Sequence, residues 1–114
     1  MSALNDTRPA EPPLVREVYP ELVAELVRLL EEEGERDLSL IVRDVRLYGP
    51  CGCSDDFCQS ISTADRRPGT PFGEGHRCVP LLADTGMLNL DVVHGRIVYV
   101  EILDRPAMIR RDIP

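Results

Sequence analysis

The sequence predicts an α+β domain: an antiparallel sheet of four to five strands with one main helix packed on one face. Three observations predict it. Residues 20–33 carry apolar side chains at helical spacing. Residues 87–103 read as a tight hairpin. Between them lie short apolar runs broken by Gly and Pro. A chain of 114 residues fits one domain. The domain is expected over 14–106, with 1–13 a polar, proline-bearing, disordered lead-in and 107–114 a tail.

The helix is the clearest element. Pro20 suits a first helical position, and Glu21 complements the positive end of the helix dipole. Leu22, Val23, Leu26, Val27, Leu29 and Leu30 form one apolar stripe, and Gly34 is placed to stop the helix. Residues 38–48 are expected as the first strand. Leu38, Leu40 and Val42 alternate, and the phase then shifts to Val45 and Leu47, which suggests a bulge near Arg43 and Asp44. Residues 57–63 read as a second strand, with Phe57 and Ile61 on one face and Cys58, Ser60 and Ser62 on the other. Residues 65–77 are turn-rich and read as a surface loop. Residues 78–83 form a short strand that Pro80 confines to a sheet edge, because proline has no N–H to donate.

The hairpin turns at His94-Gly95, a two-residue loop that favours a primed turn. An unbroken register sets Val92 against Ile97 and Leu90 against Tyr99. Leu88, Leu90, Val92, Ile97, Tyr99 and Leu103 then share one face, and Val93, Val98, Val100 and Ile102 the other. Apolar on both faces, the hairpin is expected at the centre of the sheet. The tail is expected to hold at most one short helical turn.

Composition narrows the function classes. The net charge of −7 opposes nucleic-acid phosphates and anionic membranes. All 13 basic residues are Arg. Schiff-base, phosphate-loop and general-base lysines are therefore excluded, and arginine keeps its proton in their place. Residues 1–13 have no apolar signal-peptide region, and no apolar run reaches membrane-spanning length. The expectation is a cytoplasmic protein whose cysteines are free thiols or metal ligands.

The chemically distinctive stretch is Cys51-Gly52-Cys53-Ser54-Asp55-Asp56-Phe57-Cys58, three thiols at a strand junction. His76 and Cys78 follow beyond the loop. Zinc is one reading: Cys51, Cys53 and Cys58 supply three ligands and Cys78 a fourth, with His76 as the alternative. The C-x-C-x4-C spacing is not the usual paired knuckle. Thiol redox chemistry is a second reading, opposed by Asp55 and Asp56, whose charge disfavours the thiolate. Packing of the thiols as small apolar groups is the third. His94 reads as a turn residue. Asp91 and Glu101 fall on opposite faces in the register above, so they make no catalytic carboxylate pair. Asp55 and Asp56 suit Asx-type turns. No catalytic or cofactor-binding residue is singled out.

PCGCSDDFCQSISTA resembles a segment of an uncharacterised family of small bacterial proteins from GC-rich genomes. GMLNLDVVHGRIVYVEILDRP is similar to their closing hairpin. The resemblance covers positions 47–106. It implies that Cys51, Cys53 and Cys58 belong to a recurring unit, and it implies no activity. The sequence thus points to a non-enzymatic binding or regulatory domain acting on a protein partner. A small structural zinc domain is the alternative, and a thiol redox protein the second alternative.

Overall fold

A computed structural model of the chain describes residues 11–50, 58–66 and 70–113. The helical layer comes first. Helix α1 spans Val15–Val18, α2 Pro20–Glu32 and α3 Arg36–Ile41, followed by a 3-10 turn over Val42–Asp44. Five strands follow: β1 Gly49–Pro50, β2 Ile61–Ser62, β3 His76–Leu81, β4 Met87–Val93 and β5 Arg96–Leu103. They form one antiparallel sheet in the order β1-β2-β5-β4-β3.

Helix α2 matches its sequence signals. Pro20 opens it, and Gly34 follows its end with φ +76°, a conformation glycine adopts without a Cβ penalty. Leu22, Val23, Leu26, Leu29 and Leu30 are buried. They pack with Ile61, Val79, Leu88, Leu90, Val100 and Ile102 from one face of the sheet. The hairpin β4–β5 is central, and its turn residues His94 and Gly95 have φ 49° and 78°, as a primed turn requires. The His94 ring lies against Gly75, where a Cβ would come within 2.4 Å of it.

Residues 36–44 differ from expectation. They form α3 and the 3-10 turn rather than a strand. Leu38 and Val42 satisfy a period of four as well as of two. The helix buries Leu38, Ser39 and Val42 and turns Leu40 outward at 53% exposure. The Ser39 hydroxyl donates to the Arg36 carbonyl at 2.6 Å within the first turn. The chain then passes Val45–Leu47 beside the residues before α1. Val15 N–H donates to the Val45 carbonyl, and Leu47 N–H to that of Pro13. The Arg46 guanidinium donates to the Pro12 carbonyl at 2.7 Å, so Pro12 and Pro13, expected in the loose lead-in, are tied to the domain.

The hairpin register also differs. Val92 faces Ile97, as expected, but Asp91 faces Tyr99 and Leu90 faces Val100. Val98 is the extra residue of a β-bulge in β5. One inserted residue inverts the alternation, so Val100 and Ile102 enter the core while Tyr99 and Leu103 move to the opposite face. The segment after β5 contains no helical turn among its described residues, and it packs on the body rather than trailing from it.

Candidate functional site

The helices cover one face of the sheet. The other face is built from the alternate residues of each strand, and registers across β3, β4, β5 and β2 align them in rows. One row reads Cys78, Asp91, Tyr99, Ser62. The next reads Pro80, Asn89, Glu101. Polar side chains thus occupy the middle of a sheet whose other face is packed with Leu, Ile and Val.

Hydrogen bonds hold this face in place. His76 Nε2 lies 2.7 Å from Asp91 Oδ1, and Asn89 donates to Glu101 Oε1 at 2.7 Å. Phe72 stacks on the His76 ring at 4.4 Å, and the Arg66 guanidinium lies 4.2 Å from the Phe72 centroid. A cation, two rings and a carboxylate therefore meet at the His76 end of β3. Gly75 and His94 form a hydrogen-bonded pair, since the His94 N–H donates to the Gly75 carbonyl. By alternation Cys78 and Asp91 form a non-hydrogen-bonded pair, in which side chains approach most closely. Pro80 falls in the same outward phase, so its missing N–H costs no ladder bond. The edge position expected for this strand is the one it occupies.

Partial burial raises the Cys78 thiol above its ordinary pKa, and the charges of Asp91 and Glu101 raise it further. That thiol stays protonated at neutral pH and is a weak nucleophile. The registers Asp91–Tyr99 and Asn89–Glu101 place Asp91 and Glu101 on one face. The bulge at Val98 corrects the expectation that they point apart. Both are engaged as acceptors, Asp91 by His76 and Glu101 by Asn89.

The expected zinc ligands are distributed differently. Cys51 and Cys53 lie outside the described residues, as do Phe57, Asp55 and Asp56. Cys58 bridges Leu103 at the end of β5, and its thiol donates to the Ser60 hydroxyl at 3.3 Å. Cys78 lies on β3 in the row of Tyr99. Three strand spacings of about 4.8 Å and four residues of about 3.3 Å separate the two, roughly 20 Å in all. Sulfurs around one zinc lie within about 4 Å of each other. Strand order therefore keeps Cys78, and His76 beside it, out of any shell containing Cys58. Among the described residues no group of three or more His, Cys, Asp or Glu is placed to hold a metal ion.

Sequence reasoning missed Asn89, Tyr99, Phe72 and Arg66 as members of this face. For Tyr99 no local signal exists, because the bulge at Val98 decides which way it points, whereas the unbroken alternation of β4 already sets Asn89 opposite Leu88 and Leu90. The chain matches no protein-family model, and no curated protein or solved structure matches it. No helix among the described residues is long and apolar enough to cross a membrane.

Proposed function

We propose that the chain is a non-enzymatic binding domain of the bacterial cytoplasm, whose polar sheet face, opposite the helices, receives a protein partner. The observation that carries this reading is the row structure of that face. Its polar groups are pre-oriented by the His76–Asp91 and Asn89–Glu101 pairs, so little ordering is required on contact. Tyr99 adds an amphipathic ring of the kind that anchors interfaces. The raised Cys78 thiol favours recognition over thiol exchange. Two carboxylates on the face, in a chain of net charge −7, suit a partner presenting basic side chains.

The test compares captured partners. Tagged wild type, an Asp91→Lys/Glu101→Lys variant and a Glu32→Lys control on the exposed side of α2 are expressed in native cells. Thermal melts establish that each is folded. A partner retained by wild type and control but lost from the face variant is expected. Identical partner sets for all three would refute the reading.

A further inference from the structure

Strand β3 ends the sheet on one side, pairing with β4 and with no other strand. Its phase decides which backbone groups face outward. By alternation from Gly75 and His94, residues Arg77, Val79 and Leu81 form the hydrogen-bonded pairs with β4. His76, Cys78 and Pro80 lie between them, so their backbone groups point away from β4. The edge therefore presents the N–H and C=O of His76, the N–H and C=O of Cys78, and the C=O of Pro80. All three residues are exposed, and among the described residues no backbone hydrogen bond reaches His76 or Cys78 from the outer side. Such an edge is a template for another extended chain.

The surroundings of the edge select the chain that fits. The side chains of His76, Cys78 and Pro80 belong to the polar face, in register with Val93, Asp91 and Asn89. The negative field of that face reaches the edge, because Asp91 and Glu101 both push the Cys78 thiol upward in pKa. A cation standing beside Cys78 meets the same field and is stabilised by it. The basic groups of the strand are already matched, Arg77 to Glu35 at 2.9 and 3.0 Å and His76 to Asp91 at 2.7 Å. Just past the end of β3, Leu82 is 79% exposed. Pro80 has no N–H, so it limits the ladder to a short segment and guards against indiscriminate pairing.

We propose that an extended, basic segment of a protein partner adds to β3 as a further antiparallel strand, with basic side chains beside Cys78 and Pro80 and an apolar residue at Leu82. This rests on the reading of the polar face as a protein-binding surface and supplies the mode of contact. The partner residue opposite Cys78 exchanges two backbone hydrogen bonds with it, and the one opposite Pro80 donates its N–H to the proline carbonyl. Side chains of opposed residues share a face. The added strand stands about 4.8 Å from β3 and about 10 Å from β4. A lysine opposite Cys78 therefore reaches over the small thiol to the Asp91 carboxylate, which accepts from more than one donor. Antiparallel pairing matches every other pair in this sheet.

The probe is the blocked peptide LTKVKTT, whose second lysine is set opposite Cys78, its first opposite Pro80 and its leucine at Leu82. Fluorescence anisotropy with the full chain is expected to show saturable binding. Amide exchange is expected to slow at His76 and Cys78, whose N–H groups gain partners, and to change little at Arg77 and Val79. Methylating the backbone nitrogen of the second lysine keeps the charge but removes the N–H that meets the Cys78 carbonyl. Cys78→Pro removes the edge N–H in the phase where Pro80 already stands, leaving the ladder to β4 intact. Each change is expected to weaken binding about tenfold, roughly the value of one hydrogen bond. The methylated peptide decides the matter on wild type if Cys78→Pro unfolds. Equal binding by that peptide, no protection at His76 and Cys78, or no saturable binding up to millimolar peptide overturns the proposal. A dimer with those amides protected before peptide is added assigns the edge to a second copy and also overturns it. In the capture experiment, a partner lost from the Asp91→Lys/Glu101→Lys variant but retained by Cys78→Pro removes the edge pairing and leaves the reading of the face standing.

Discussion

Deleting Val98 is expected to be tolerated, whereas deleting Asn89 on the neighbouring strand is not. Val98 is the extra residue of the β5 bulge. Without it, Ile97 still faces Val92, Tyr99 still faces Asp91 and Val100 still faces Leu90, now in unbroken alternation. The Thr63 N–H, which donates to the Val98 carbonyl at 3.0 Å, passes to the carbonyl of Ile97, which already accepts the Thr63 hydroxyl. Half-burial of a valine contributes about 1 kcal/mol, and one regained ladder bond offsets it by a similar amount. The net change is within about 1 kcal/mol, or roughly 5 °C in Tm for a domain of this size. Asn89 has no bulge to absorb its loss. Its deletion rotates Leu88, 0% exposed, out of the core and breaks register with both β3 and β5. Exposing that leucine costs about 2–3 kcal/mol. With the two disturbed ladders the total reaches roughly 4 kcal/mol or more, about 20 °C. Thermal and urea melts followed by far-UV circular dichroism give both numbers. A Val98 deletion costing more than about 3 kcal/mol, or an Asn89 deletion as mild as that of Val98, would show that the bulge does not set the register.

Leu26→Asp is expected to unfold the domain. Leu26 is 1% exposed at the centre of α2, and an unpaired buried charge costs several kcal/mol against a stability of roughly 5–15 kcal/mol; a cooperative melt near the wild-type Tm would contradict this. The Arg77 hydrogen bonds hold the Glu35 carboxyl below its ordinary pKa. A depressed folded-state value means that this stabilisation is present at neutral pH and is lost as the pH falls through it. Glu35→Gln should therefore lose less stability than wild type between about pH 5 and 3. For so exposed a pair the difference is a few tenths of a kcal/mol, read from urea midpoints across that range. Cys78→Ser is expected to leave the metal content of purified protein unchanged, since strand order places Cys78 far from Cys58; elemental analysis showing metal lost with that substitution would refute the separation. Gln59→Ala should speed amide exchange at Met108 selectively, because it removes the acceptor of that N–H.

Helix α2, the central hairpin and the edge strand were legible because each is specified by neighbours in sequence. Pro20, the apolar stripe and Gly34 define a helix within fifteen residues. His94 and Gly95 define a turn in two. Pro80 marks an edge because proline lacks an N–H whatever surrounds it. The cysteines were legible as a chemical group, but their positions in space were not.

Long-range packing decided the rest. Leu38 and Val42 fit a strand or a helix equally well, and docking against α2 selects the helix by burying both with Ser39 between them. The bulge at Val98 leaves no local mark, since Ile97 to Val100 reads as strand in either phase. That single residue nonetheless inverts Tyr99 and Val100 and brings Asp91 and Glu101 to one face. The distance between Cys58 and Cys78 likewise depends on the order of the strands between them. Local spacing constrains dihedral angles and side-chain alternation over a few residues. Which face is buried, and which thiols or carboxylates become neighbours, depends on free energies of burial shared among segments far apart in the chain.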